Sequence, residues 1–441
     1  MKDFLERAFR LSENGTTARR EVLGGATTFM TMSYIIFVQP AVLGQTGMDK
    51  GAVMVATCLA GALATLLTGL LARYPIAQAP AMGHNVFFAV VVCGTMGYTW
   101  QVALGANFLS GLIFVALAFA GVWGKVVAAV PDALKYGIAV GIGLLIALVG
   151  LEYGGIVVDS PGVLVGLGDL TSPPVLLVLF GLALTAVLLV IRFPGAILVG
   201  LLATALAGIP LGVVEFHGLV APVPSLAPTA FQLDIGGALR SGLVTVVFVF
   251  FLLDVFDTIG TLIGVGGAGG FLRDGKLPRA DRAMLADAAG TVGGVLLGTS
   301  TVTSYIESVT GIAQGARTGL ANVVTSALFL VALFFSPLAE MISGEVVSGG
   351  VVLRPVIAPA LIIVGSMMMK CVKHIDWDDM TEAVPAFLCI VVMPLTLSIT
   401  EGISFGLIAY VLLKLAAGKG RQVHGLIYVF AALFVLRYVL T

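Results

Sequence analysis

The chain has 441 residues, of which 59% are hydrophobic and 11% charged, and a formal net charge of −1. Soluble domains carry roughly 25% charged residues, so this composition excludes a soluble enzyme. The near-neutral balance leaves no electrostatic footprint for nucleic acid. Apolar runs of about 20 residues, the length that crosses a bilayer, recur from end to end and exclude a soluble domain hung on one anchor.

Residues 1–21 are polar and amphipathic, with no apolar core behind a short basic start, and read as a cytoplasmic segment rather than a cleavable signal peptide. Fourteen spans are predicted over 22–43, 52–72, 76–96, 100–122, 131–151, 174–192, 195–213, 240–265, 281–298, 299–315, 318–337, 347–369, 381–399 and 402–418. Charge supports this layout by the positive-inside rule. With the N-terminus cytoplasmic, Arg19, Arg20, Arg73, Lys125, Arg192, Arg273, Lys276, Arg279, Arg282, Arg317, Lys370, Lys373, Lys419 and Arg421 fall inside, and Lys50 is the clear exception. The apolar stretch 423–440, with Arg437 near its end, reads either as a further span or as a helix lying at the inner surface. Cys58, Cys93, Cys371 and Cys389 are widely spaced and read as packing residues, and His217, His374 and His424 as loop or linker residues, with no metal spacing.

Two spans cannot be unbroken helices. The third opens with YPIAQAPAMGHNVFFA from Tyr74, crowded with proline, and the tenth with GTSTVTSYIES from Gly298, rich in Ser, Thr and β-branched residues. Each reads as a short extended segment leading into a half-helix. Backbone of that kind is tolerated at membrane depth only where protein buries it or it lines a cavity. Seven spans separate the two breaks, and an odd number per repeat forces the halves into opposite orientation. Paired broken helices in inverted halves point to a substrate site.

Asp257 in the eighth span and Glu307 in the tenth lie in otherwise apolar surroundings. A carboxylate there costs at least ~2.5–3.5 kcal/mol, so both must face protein or water, and each is a candidate for ligand binding or a proton-coupled step. Asp254 lies three residues before Asp257, near the same helix face, and reads mainly as a structural hydrogen-bonding group. Asn85 offers a donor and an acceptor for a neutral polar ligand. Beside it, His84 reads equally as a ligand contact or a packing residue. Phe87 and Phe88 supply rings for stacking or for the core. Thr258, Thr261 and the hydroxyls from Ser300 and Thr301 to Ser304 are expected mostly to satisfy local backbone, with one or two lining the site. Asp287 reads as structural and Arg317 as a topological charge. No phosphate-binding loop or hydrolase nucleophile motif is present, so neither an enzyme nor ATP-driven transport by this chain is expected, and no cofactor or metal is implied.

The strings REVLGGATTFMTMSYIIFVQPAVL from Arg20, AQAPAMGHNVFFA from Ala77, DVFDTIGTLIGV from Asp254, LLGTSTVTSYIESVTGIAQGARTGL from Leu296 and MPLTLSITEGISFG from Met393 resemble the AzgA-like purine nucleobase permeases. The resemblance runs in order over nearly the whole chain. It implies the all-α, polytopic fold of the bacterial uracil permease, with fourteen spans as two inverted seven-span repeats. A core domain would comprise 22–122 and 240–337, and a gate domain 123–239 and 338–418, with 419–441 as a basic linker and C-terminal apolar helix. It also implies a homodimer in the cell membrane, working by an elevator movement of core against gate. By the same resemblance Asp257 and Glu307 sit at the base-binding site and Asn85 matches the asparagine of the third span. This chain departs from the family pattern at Gln39, Ala81 and His84, which surround that site.

The expectation is therefore an importer of hypoxanthine or guanine, with adenine close behind, by proton symport. Glu307 would bind the base edge, Asp257 would bind it or carry the proton, and Asn85 would hold the opposite side. The alternatives are the same fold with another cargo (uracil, xanthine or an anion), or a channel or sensor without coupled transport.

Overall fold

The structure is a computed structural model that describes residues 2–120, 131–160, 163–216, 218–240, 243–272, 277–348, 351–397 and 399–440. Lys125, His217, Arg273, Lys276 and the side chain of Arg437 lie outside the described residues.

The first span is two helices, α1 (Ala18–Met32) and α2 (Ile35–Leu43), parted at Ser33 and Tyr34. Thr17 caps α1, its hydroxyl oxygen accepting from the Arg20 N–H. α3 (Lys50–Leu67) starts at Asp49, whose carboxylate accepts from the Ala52 N–H at 2.7 Å. It continues in a widened turn to Arg73, which takes a left-handed conformation. The third span is β1 (Gln78–Pro80) followed by α4 (Met82–Val86), which runs on as π-helical turns to Thr95. α5 (Trp100–Ala120), α6 (Asp132–Tyr153), α7 (Pro173–Val190) and α8 (Ala196–Gly208) follow.

The second half repeats the plan. α9 (Val244–Ala268) and α10 (Ala280–Leu297) lead to β2 (Val302–Ser304) and the half-helix α11 (Ser308–Ala313). α12 (Leu320–Ala332) is bent by 79° from α13 (Ser336–Ile342), where an unbroken span over 318–337 was expected. Pro337 at the start of α13 provides the physical reason, since it suits a helix's first turn and not its interior. α14 (Ala358–Met368), α15 (Met380–Thr396), α16 (Ile399–Ala416) and α17 (Gly425–Leu440) complete the chain. Among the described residues, six helices are long and apolar enough to cross a membrane. Two hairpins, Val157–Ser160 with Val163–Leu167 and Val346–Ser348 with Val351–Leu353, occupy stretches that hydropathy alone left as a loop and as the start of a span.

The two breaks pair with each other. β1 and β2 run antiparallel with Gln78 opposite Ser304, Ala79 opposite Thr303 and Pro80 opposite Val302. The ladder is extended by Ala81 N–H to Thr301 O and Tyr305 N–H to Ala77 O, both 2.9 Å. This satisfies backbone groups that would otherwise be orphaned at membrane depth.

Equivalent residues pin each break. The Thr65 hydroxyl on α3 donates to Gln78 O (2.8 Å) and accepts from Gln78 N–H (2.9 Å). The Thr291 hydroxyl on α10 does the same to Val302, at 2.8 and 3.2 Å. An asparagine on the span after each break reaches the break of the opposite repeat: Asn322 donates to Thr65 O and Ile76 O, and Asn107 accepts from the Thr301 hydroxyl. The inverted repeat is thus carried by individual side chains.

The chain divides into two compact units, residues 1–120 with 152–360, and 121–151 with 361–441. In the first, backbones meet where glycines allow it. A Cβ on Gly319 would stand 1.9 Å from Gly69 O, and one on Gly25 2.3 Å from Ala321 O. Lys50, the charge that broke the positive-inside pattern, donates to Ser343 O at the C-terminus of α13 (3.1 Å).

In the second unit, Gly137, Gly141, Gly143 and Gly150 of α6 lie against Ala386, Cys389, Gly365 and Leu361 of the same chain. That small-residue face is a contact within one chain. Lys414, buried, pairs with Glu382 at 2.7 Å. At the mouth of α15 the Asp379 carboxylate accepts from the Thr381 hydroxyl (2.7 Å), the Thr381 N–H (2.9 Å) and Lys419 Nζ (2.9 Å). The Thr381 hydroxyl, then Lys419, hold the Asp379 carboxyl well below the usual carboxylate range.

Candidate substrate site at the crossing of the two broken spans

Every sequence-predicted site residue lies in the first compact unit, around the β1–β2 pairing. They separate into a carboxylate pair that keeps some exposure and a closed polar network behind it.

Glu307 occupies the N-cap position of α11 with helical backbone angles, yet its side chain makes no capping bond. Its Oε1 accepts instead from the hydroxyl of Tyr34 at 2.9 Å. Asp257, midway along α9, accepts at Oδ2 from the Thr303 hydroxyl of β2 at 3.2 Å. Both acids are partly exposed, whereas Asp254, Asp287 and Asn85 are fully buried, and each lies within electrostatic reach of the other and of Tyr34. Each carboxylate thus has one oxygen engaged by a protein hydroxyl. An ionised carboxylate accepts about four hydrogen bonds, so both retain capacity for a ligand's donors.

Behind the pair the groups satisfy each other. Asn85 donates to Gln39 Oε1 and accepts from the Ser300 hydroxyl. Gln39 in turn donates to the Thr299 and Ser300 hydroxyls at 2.8 and 3.0 Å. Asn85 was expected to hold a ligand, but its side chain is fully buried and both ends are taken by protein. The departure at Gln39 supplies the reason, because its longer side chain spans from α2 to both the Asn85 amide and the tenth-span hydroxyls.

The hydroxyls were expected to bond mainly to local backbone. Most instead reach side chains on other elements: Thr301 to Asn107 (2.7 Å), Thr258 to Asp287 (2.8 Å), and Thr303 to Asp257. Asp287 behaves as the structural residue foreseen. It accepts from Gln78 Nε2 (2.8 Å), Thr258 and Ser304 (3.4 Å), tying α10 to both strands and to α9. Asp254 is likewise fully buried and accepts from Thr291 at 3.2 Å.

Phe87 and Phe88 both pack on Phe250, the first edge-to-face at 4.9 Å, and belong to the core. His84 is 2% exposed, and neither ring nitrogen has a hydrogen-bond partner among the described residues.

Sequence reasoning missed Tyr34, Gln78, Asn107 and Glu21. For Tyr34, Gln78 and Asn107 the signal was polarity inside an apolar run, too weak to separate them from ordinary packing, while Glu21 closes the polar segment 1–21 and did not stand out from it. Among the described residues no group of His, Cys, Asp and Glu could hold a metal ion.

Mutually paired broken spans with two partly exposed carboxylates at their crossing are the kind of place where membrane transporters bind their substrates. The transmembrane domain of a cyanobacterial bicarbonate transporter, BicA, shares this fold with a TM-score of 0.64 at 18% identity, over 89% of this chain and 97% of that one. The pattern described as the Permease family matches residues 19–405, and the chain belongs to that family. It is 44% identical to the guanine/hypoxanthine permease PbuG of Bacillus subtilis over 443 residues, covering 98% of each chain. It is 43% identical to the adenine permease AdeP of Escherichia coli over 436 residues, covering 99% of this chain and 96% of the relative. The AzgA-like resemblance read from the motifs is borne out, and the chain is a multi-pass membrane transporter rather than an enzyme.

Proposed function

We propose that the protein imports purine nucleobases by proton symport, binding the base between Glu307 and Asp257. The observation that carries this reading is the carboxylate pair. Two acceptor groups at the crossing of the repeats, each with one oxygen already engaged by a protein hydroxyl, suit a flat neutral ligand that presents N–H donors along its edge. The same pair disfavours an anion, which two adjacent carboxylates would repel. Relatives named for guanine/hypoxanthine and for adenine are equally similar to this chain. Overall identity therefore does not choose among purines.

In this proposal Asn85, Gln39, Ser300 and Thr301 hold the two breaks in register, Thr258 fixes Asp287 against α9, and His84 borders the site with an unused donor and acceptor. Glu307 or Asp257 takes up the coupled proton. The loaded core, 22–122 with 240–337, moves against a gate formed by 123–239 and 338–418, in fourteen spans with the N-terminus cytoplasmic and two copies forming a dimer. Coupling requires that proton and base favour the loaded carrier together.

The cargo is tested by competition. Uptake of labelled hypoxanthine into proteoliposomes is measured against excess guanine, adenine, xanthine, uracil and bicarbonate. Saturable uptake suppressed by guanine or adenine, and not by uracil or bicarbonate, is expected. Uptake suppressed by uracil alone, or no purine uptake by folded protein, contradicts the assignment.

A further inference from the structure

Glu307 is held by a residue to which the sequence assigned no role. Tyr34 stands in the short interruption between α1 and α2, its ring 2% exposed and its hydroxyl 2.9 Å from Glu307 Oε1. The distance is set by close packing of the first span on α11. A Cβ on Gly311 would lie 2.1 Å from the Thr28 hydroxyl and 2.4 Å from Gly24 O, and the Thr31 and Thr310 hydroxyls are bonded at 3.0 Å. α1 and α11 therefore present Tyr34 and Glu307 to each other as one rigid piece.

A buried tyrosine hydroxyl needs an acceptor, and a carboxylate that does not cap its own helix is free to rotate unless something fixes it. We propose that Tyr34 is a positioning residue for ligand recognition: its hydroxyl locks the Glu307 carboxylate so that the second oxygen faces a ring N–H of the bound base. This rests on the purine reading above and narrows it. A carboxylate held in one orientation, beside Asp257 held likewise by Thr303, selects a heterocycle with an N–H at the ring position that meets Glu307. A 6-oxopurine such as hypoxanthine carries that donor at N1, whereas adenine has a bare acceptor nitrogen there.

The test is equilibrium binding of labelled hypoxanthine to purified protein in nanodiscs, with 1-methylhypoxanthine as the analogue lacking the N1 donor. Wild type, Tyr34→Phe, Glu307→Gln and the double variant are compared. Tyr34→Phe leaves the Glu307 carboxylate to be ordered by the ligand, and ordering a side chain on binding is worth about three- to tenfold in affinity, so the variant weakens hypoxanthine by that factor. In the Glu307→Gln background the same change costs less than about threefold, because its effect passes through Glu307.

The Kd ratio of 1-methylhypoxanthine to hypoxanthine, which does not depend on the folded fraction, falls toward one in Tyr34→Phe. It stays at the wild-type value in Thr27→Val, whose hydroxyl on the same helix bonds to Leu23 O and not to α11. An equal loss from Tyr34→Phe in both backgrounds, or an unchanged ratio, overturns the positioning role. Wild-type protein that binds no hypoxanthine overturns instead the purine reading on which that role rests.

Discussion

Glu21 offers the most quantitative test of how the first compact unit holds together. It is fully buried in α1, and its carboxylate accepts the backbone N–H groups of Arg317 at 2.7 Å, Thr318 at 3.2 Å and Ala321 at 3.1 Å. These N–H groups enter and open α12, where a helix has no partners of its own. Hydrogen bonds to a charged acceptor contribute about 1.5–3 kcal/mol each. The three are not additive, because one truncation removes them together and the exposed N–H groups regain some other partner. Truncation leaves these donors without their acceptor, at about 1–3 kcal/mol each where no other partner is regained, so about 3–5 kcal/mol together is the guide.

Glu21→Ala should therefore destabilise the protein by about 3–5 kcal/mol, or roughly 6–10 °C in apparent melting at about 2 °C per kcal/mol. Glu21→Gln keeps one acceptor oxygen and should fall between the two. The assay is tryptophan fluorescence melting in detergent, with Glu152→Ala as a control at an exposed acid. Melting of Glu21→Ala within about 1 °C of wild type would refute the claim that this carboxylate clamps the first span to the eleventh.

Three further outcomes follow from the same geometry. His84→Leu removes two buried, unpartnered nitrogens. Since an unsatisfied buried group costs about 1–3 kcal/mol, the variant should melt no lower than wild type while its purine Kd changes. A lower melting point with an unchanged Kd would make His84 a packing residue. Gly319→Ala would place a Cβ 1.9 Å from Gly69 O, and overpacking of this kind costs about 1–3 kcal/mol or more. Wild-type melting of that variant would mean the backbones are not in contact. At the mouth of α15, Asp379 has its carboxyl held low by Thr381 and Lys419. A depressed folded pKa gives stability that is complete above the unfolded value of about 4 and lost as pH falls through the folded one. Asp379→Asn should thus melt below wild type at pH 7, with the gap closing on acidification below about pH 4. A gap that widens in acid contradicts the assignment.

Much of the fold was legible because the bilayer imposes long apolar runs and penalises charge within them. That penalty alone singled out Asp257 and Glu307. Proline at Pro75 and Pro80 and the β-branched run after Gly298 marked the breaks, since neither sequence suits a helix interior. The pairing of β1 with β2 was not legible, because three-residue strands have no register of their own and the partner lies more than two hundred residues away. Tyr34 was hidden for the same reason, its acceptor lying 273 residues along the chain. Asn85 misled. Its motif suggested a ligand contact, but whether an amide faces ligand or protein depends on what reaches it, and Gln39 reaches it here. The bend after α12 was missed because hydropathy runs evenly across Phe334 and Phe335 up to Pro337, and hydropathy carries no directional information.

The central claim, that a proton and a purine share the carboxylates at the crossing of the two repeats, is tested most directly by hypoxanthine uptake into proteoliposomes. Uptake is measured with and without an inward proton gradient, for wild type, Glu307→Gln and Asp257→Asn. The account predicts saturable uptake that the gradient accelerates in wild type and that both substitutions abolish or uncouple. Uptake that ignores the gradient, or that survives both substitutions unchanged, contradicts it.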